Sequence, residues 1–145
     1  MNFAVTIWTT PIAQPRPRAV APHGRAMIVS NPGKSPVAAY KKIVAVEART
    51  FYKGPLLAQP LRVTLLFVMP RPKSVTRKTR PNPRLRHTSK PDIENLAKST
   101  LDALTGIVWE DDCWICELEL EKVVARGGES PHVNVFVETL SEELP

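Results

Sequence analysis

Apolar and polar positions alternate from the start of the chain. Phe3, Val5 and Ile7 interleave with Ala4, Thr6 and Trp8, a period of two that predicts a strand ending at Pro11. The next stretch, residues 11–36, holds six prolines and reads as mostly loop, with a short strand at residues 26–29. Val37, Tyr40, Val44, Ala48 and Phe51 then recur at helical spacing while Lys41, Lys42 and Arg49 fall elsewhere on the cylinder. That helix runs to about Tyr52, where Gly54-Pro55 stops it. Residues 61–68 are apolar and β-rich, with Val63, Leu65 and Phe67 on one face, and predict a central strand that Pro70 ends.

A second helical stripe, Ile93, Leu96, Ala97, Thr100, Leu101 and Leu104, predicts a helix from about Asp92 to Leu104 with Gly106 beyond its end. Trp114, Cys116, Leu118 and Leu120 alternate with Glu117, Glu119 and Glu121, the pattern of a strand with one buried and one solvated face. Cys116 is thereby placed in the core. Val133, Val135 and Val137 repeat that alternation in a last strand after Gly127-Gly128, and residues 141–145 read as a frayed acidic tail. Residues 71–90 carry no such period. They bring Arg71, Lys73, Arg77, Lys78, Arg80, Arg84, Arg86 and Lys90 among Pro72, Pro81 and Pro83, cannot bury a face, and read as a mobile loop that orders on contact with phosphates.

Length adds that 145 residues make one domain, with a core for one sheet and two or three helices. Charge changes the picture more. Residues 1–91 hold 17 Lys and Arg against the single acid Glu47, and residues 92–145 hold 3 against 13 acids, so +16 and −10 sum to the overall +6. A separation this sharp favours a polyanion, DNA or RNA, over a membrane, with a distinct acidic site beside the basic surface. No run reaches the ~18 apolar residues of a membrane span, and the start lacks the regions of a signal peptide. Two cysteines are too few for a disulfide framework, and a cytosolic location is expected.

The chemistry concentrates in Asp92-Ile93-Glu94-Asn95 and in Glu110-Asp111-Asp112. Asp92 and Glu94 have a plain reading as acids favoured in the first turn of a helix, and Ser89 to Asp92 has the spacing of a capping box. The functional reading starts from the second acidic group. One helix and a turn could return the chain alongside its own start, and carboxylates gathered there are costly to hold without cations. Asp and Glu oxygens suit Mg²⁺ or Mn²⁺, and such a site can act on a phosphodiester. Lys98 follows Glu94 by four residues, the spacing either of an ion pair with that carboxylate or of a cation near a scissile phosphate; Asp102 stands as its structural partner. The basic stretch, with Arg16 and Arg18 of the first loop, fits phosphate contact. Cys113-Trp114-Ile115-Cys116 lacks the second pair of a zinc site, and His23, His87 and His132 are isolated from any nucleophile. No P-loop is present, which argues against an NTPase.

The run Lys90-Pro91-Asp92-Ile93-Glu94-Asn95-Leu96-Ala97-Lys98, then Leu101-Asp102-Ala103-Leu104, then Asp111-Asp112, resembles the RusA family of crossover-junction endodeoxyribonucleases, the Holliday junction resolvases common in phages and prophages. The resemblance is close over residues 90–115 and weaker over most of the chain. It implies a single RusA-like α+β domain, a mixed sheet packed with two main helices. It also implies that Asp92, Glu94 and Asp112 are metal-binding carboxylates, that Asp111 assists them, and that Lys98 is the catalytic lysine. Glu94 stands where the family often has Asp. A Mg²⁺-dependent homodimer nicking a four-way DNA junction symmetrically, in a bacterial or phage setting, is the expectation. Its rivals are a metal-dependent nuclease for other branched or single-stranded DNA and a junction-binding protein without catalysis.

Overall fold

The computed structural model describes residues 2–16, 18–20, 27–29, 35–79 and 81–145, with backbone only at 18–20 and 27–29. In chain order the elements are β1 (Asn2–Ile7), β2 (Arg18–Val20), β3 (Met27–Val29), α1 (Pro36–Phe51), β4 (Leu61–Met69), β5 (Leu85–Arg86), α2 (Ile93–Leu104), β6 (Ile115–Val124) and β7 (His132–Thr139). Five of the strands form one mixed sheet in the order β1-β7-β4-β6-β5, and β2 and β3 pair as a separate hairpin. The predicted short strand corresponds to β3; its partner β2 falls in the stretch read as loop. His23, Arg25 and Lys34 lie outside the described residues.

Alternation decides which side chains enter the core. Phe3, Val5 and Ile7 of β1, Val133, Val135 and Val137 of β7, and Leu61, Val63, Leu65 and Phe67 of β4 share one buried cluster with Tyr40, Val44 and Ala48 of α1 and Leu96, Ala97 and Leu104 of α2. Both helices therefore cover one face of the sheet, an α+β arrangement, and β4 is central as its pattern predicts. A buried hydrogen bond of 2.8 Å between Tyr40 Oη and Thr100 Oγ1 ties the helices together, and burial pushes the Tyr40 phenol up to about 12.

Two core expectations change. Phe51 ends α1 with 60% of its surface exposed, and Tyr52 takes the inward place. The chain leaves helical geometry at Tyr52, whose ring meets Phe3 edge-on at 5.1 Å and whose hydroxyl donates to the Pro55 carbonyl. Cys116, expected in the core, is exposed, as is Cys113, and Trp114 belongs to a single 3-10 turn at Asp112–Trp114 ahead of the strand. The cause is a bulge: the β4–β6 ladder passes from Leu61–Ile115 to Arg62–Glu117, which skips Cys116 and turns it off the core face. β5 covers the outer edge of β6 only near its end, leaving residues 115–121 open.

β4 and β6 are parallel neighbours, in register from Arg62–Glu117 to Met69–Val124. A parallel pair needs a crossover, and residues 70–114 supply it. α2 carries the chain back and lies antiparallel to β6, its first residues beside the end of β6 and its last residues beside the start.

Candidate active site

α2 begins at Asp92, the N-cap residue, whose carbonyl receives the Asn95 and Leu96 amides at 3.2 Å. The Asp92 side chain does not cap the helix, and the Ser89 capping box does not form. Instead Asp92 Oδ2 faces Arg16 Nη2 at 3.2 Å in an exposed pair. Arg16 is brought there by a loop stitched to α2: the Gln14 amide donates to the Asn95 carbonyl at 2.8 Å, and Ser99 Oγ donates to the Ile12 carbonyl.

Glu94, in the first turn of α2, is exposed, and Lys98 follows one turn later. Among the described residues neither forms an ion pair, so the i,i+4 bridge between them is not made. Asp102, expected beside Lys98, instead faces Lys41 Nζ of α1 at 3.5 Å. The helix ends at Thr105, and Gly106, with φ +82°, turns the chain toward Asp112. Asp112 Oδ1 accepts from Thr105 Oγ1 and from Trp109 Nε1, so this carboxylate is anchored to the C-terminal end of α2. Asp111 caps the 3-10 turn, accepting from the Cys113 amide at 2.9 Å.

These residues line one groove between α2 and the open edge of β6. Glu94, Ala97, Lys98, Leu101, Asp102 and Asp112 form its helix side and Leu118 and Leu120 its floor. Leu118 is 43% exposed for that reason, although alternation assigns it to the buried face. At the helix start the groove passes Glu94 into a second, open cleft of about 600 Å³, lined by residues 86–90, Asp92, Ile93, Leu120, Glu121 and Lys122. Glu94 is common to both.

The acids are therefore arrayed along a helix, not gathered at one point. Asp92 and Asp112 sit at opposite ends of the 12 residues of α2, a separation on the order of 18 Å at 1.5 Å per residue. The expected return of Asp112 alongside the helix start does not occur within one chain. Among the described residues no three His, Cys, Asp or Glu side chains are grouped to hold a metal ion. The donor chemistry nevertheless fits a hard divalent cation. Mg²⁺ is commonly held by one or two carboxylates plus water and substrate phosphate, and the carboxylates of Glu94 and Asp112 lack a cationic partner among the described residues.

The basic segment divides into two kinds of arginine and lysine. Arg71 donates to the carbonyls of Pro83, Val75 and Ala125 and to Asn82 Oδ1, bracing residues 71–83 from within. Arg84 makes a two-pronged pair with Glu129 at 3.1 and 2.7 Å, and that hydrogen-bonded pairing holds the Glu129 carboxyl down at about 2. Lys73, Arg77, Lys78, Arg86 and Lys90 stand exposed. Arg80 and the Arg18 side chain lie outside the described residues. The segment is not wholly irregular: it includes a 3-10 turn at Lys73–Val75 and the two residues of β5.

Two residues left aside by the motif enter the cleft. Among the described residues the buried His87 Nδ1 has no partner at normal hydrogen-bond geometry, and burial first, then the nearby Lys122 charge, lowers its pKa from the ordinary 6.5 against a weaker upward pull from the Ser89 backbone. Lys122 donates from Nζ to the Ser89 and Pro91 carbonyls, both at 2.7 Å. Its signal in the sequence is a lysine in an otherwise apolar alternation, Leu118, Leu120, Lys122, Val124. His132 is buried, its ring against the exposed Trp8 at 4.6 Å.

The family model described as endodeoxyribonuclease RusA matches residues 9–138. The uncharacterized protein YqaN of Bacillus subtilis (strain 168) is 29% identical over 141 residues, spanning 94% of this chain and 95% of that protein.

Proposed function

This chain belongs to the RusA family of endodeoxyribonucleases, and on that premise we propose that it resolves four-way DNA junctions by paired, symmetric, metal-dependent nicks. The observation that carries the reading is the groove along α2, where Glu94, Lys98 and Asp112 stand exposed and outside any ion pair among the described residues. Exposed carboxylates outside any ion pair keep their oxygens free for a hard divalent cation, which takes one or two such ligands beside water and substrate phosphate. Asp92, Glu94 and Asp112 would hold Mg²⁺, or Mn²⁺ in its place, with Asp111 beside them. When bound, the ion supplies Lewis-acid activation of water and of the attacked phosphate.

The rest falls to the chain itself. Lys98, one turn from Glu94, directs an ammonium at the charge that grows on the phosphate oxygens. Arg16 neutralises Asp92 until substrate and cation arrive. Lys73, Arg77, Lys78, Arg86 and Lys90 grip the DNA backbone and give binding its salt-dependent, sequence-independent part. A homodimer sets two such grooves on a junction, as paired nicks require. It also supplies a second copy of each carboxylate to a ligand set whose members stand at opposite ends of one helix.

A second reading, junction binding without cleavage, draws on one observation: among the described residues no three metal-ligating side chains are grouped. Incubating the protein with a four-way junction, a fork and linear duplex, in Mg²⁺ or in EDTA, separates the two. Symmetric nicks in the junction alone, abolished by EDTA, are expected. Binding without nicks in either Mg²⁺ or Mn²⁺ leaves the second reading, and equal cutting of the fork leaves a broader nuclease.

A further inference from the structure

Lys122 occupies a row of β6 whose other members are apolar. Leu118, Leu120, Lys122 and Val124 point to the same face, and across the parallel ladder they oppose Val63, Leu65, Phe67 and Met69 of β4. An ammonium half-buried in such a row is unfavourable unless it is fully hydrogen-bonded. Among the described residues it has no carboxylate partner. Its Nζ instead donates to two main-chain carbonyls, Ser89 and Pro91, each at 2.7 Å, the short distance of a charge-assisted bond. The same stretch is zipped to β6 from the other side, since the His87 amide donates to the Lys122 carbonyl at 3.2 Å and Leu85 and Arg86 pair with Val124 and Val123.

We infer that Lys122 is a positioning residue of the nuclease site, a latch that holds residues 89–91 against β6 and so fixes the backbone from which Asp92 projects. The inference rests on the functional reading above, because it is the Asp92 carboxylate whose placement matters. β6 is fastened to the central strand β4 along most of its length, whereas among the described residues the Asp92 side chain is tied only to an exposed arginine. Accuracy at Asp92 must therefore come through the main chain, and the Pro91 carbonyl belongs to the peptide unit that ends at the Asp92 nitrogen. Residues that orient a metal ligand without touching the metal typically change affinity or rate by about 10- to 100-fold when removed.

The test compares wild type, Lys122→Met, which keeps the stem and removes the donors, and Lys122→Arg, whose fork can still reach two carbonyls. Amide exchange across residues 89–94 is read in the free proteins, Mn²⁺ affinity by calorimetry, and junction cleavage in single turnover. Faster exchange at 89–94 in Lys122→Met, Mn²⁺ affinity or cleavage down by about 10-fold or more, junction binding in EDTA within about twofold, and recovery in Lys122→Arg support the latch. Unchanged exchange at 89–94 overturns it whatever the activity. So do equal losses in the methionine and arginine variants. Should Lys122→Met give no cooperative melting transition, Lys122→Leu, which matches the apolar neighbours of its row and carries no donor, replaces it under the same criteria. A wild type that binds junctions but does not cut them counts against the functional reading, while exchange still decides the latch.

Discussion

Asp92 holds the N-cap of α2 yet turns its carboxylate to Arg16, and Lys98 stands without the ion pair that its spacing from Glu94 allows. Both are side chains with no structural employment on their own helix, which separates them from their neighbours. Asp102 is the contrast, engaged with Lys41 across the helix pair. Lys98→Ala is accordingly expected to slow junction cleavage by about 100-fold or more with little change in binding, whereas Asp102→Ala costs at most about 1 kcal/mol of stability and leaves the rate near wild type. Single-turnover kinetics beside urea unfolding distinguishes them, and equal rates for the two variants would contradict the assignment. Tyr40→Phe tests the helix pair: the Thr100 hydroxyl keeps its bond to the Leu96 carbonyl, so the loss is about 1 kcal/mol in urea unfolding. The identities of these residues were legible in the sequence, but their partners were not. Helical spacing says who shares a face, while Lys41 reaches Asp102 only because α1 and α2 pack together.

Residues 71–90 work as an element with two jobs. Arg71 and Arg84 hold its shape, and the exposed Lys73, Arg77, Lys78, Arg86 and Lys90 are the cations proposed to meet phosphate. Replacing Arg77, Lys78 and Arg80 by alanine should weaken junction binding and flatten its dependence on salt by about one unit of slope for each phosphate that is no longer neutralised; unchanged affinity would make the segment a bystander. Arg84→Ala acts differently. Because Arg84 depresses the Glu129 pKa from 4.5 to about 2, the pair's contribution to stability is fully present above 4.5 and disappears as pH falls toward about 2. Thermal melting followed down through that window should drop less steeply in Arg84→Ala than in wild type. Composition alone could not divide the arginines this way, since the division depends on Glu129 and on the carbonyls around Arg71. Gly127 is part of that environment: its amide donates to the Asn82 carbonyl, and a Cβ there would lie 2.9 Å from Asn82 Cβ.

At the scale of the molecule, periodicity sufficed for both helices, the central strand and the last two long strands, because each buries one face and so leaves a repeat in the chain. It could not reveal that β4 and β6 are parallel neighbours. That pairing runs α2 back along β6 and puts Asp92 and Asp112 at opposite ends of the helix, where a reading along the chain expects them to converge. The exposed Cys116 and the half-exposed Leu118 have different origins, a bulge that skips Cys116 in the ladder and an open strand edge beside Leu118, and strict alternation registers neither. The sharp division of charge was fully visible, and it corresponds in space to a basic segment that flanks the start of an acid-lined groove. The central claim is that this groove cuts DNA through its carboxylates, and the most direct measurement is single-turnover cleavage of a four-way junction in Mg²⁺ by wild type and by Asp92→Asn, with junction affinity determined for each in EDTA. The account predicts paired symmetric nicks by wild type and none by Asp92→Asn at matched affinity; cleavage by Asp92→Asn at the wild-type rate would contradict it.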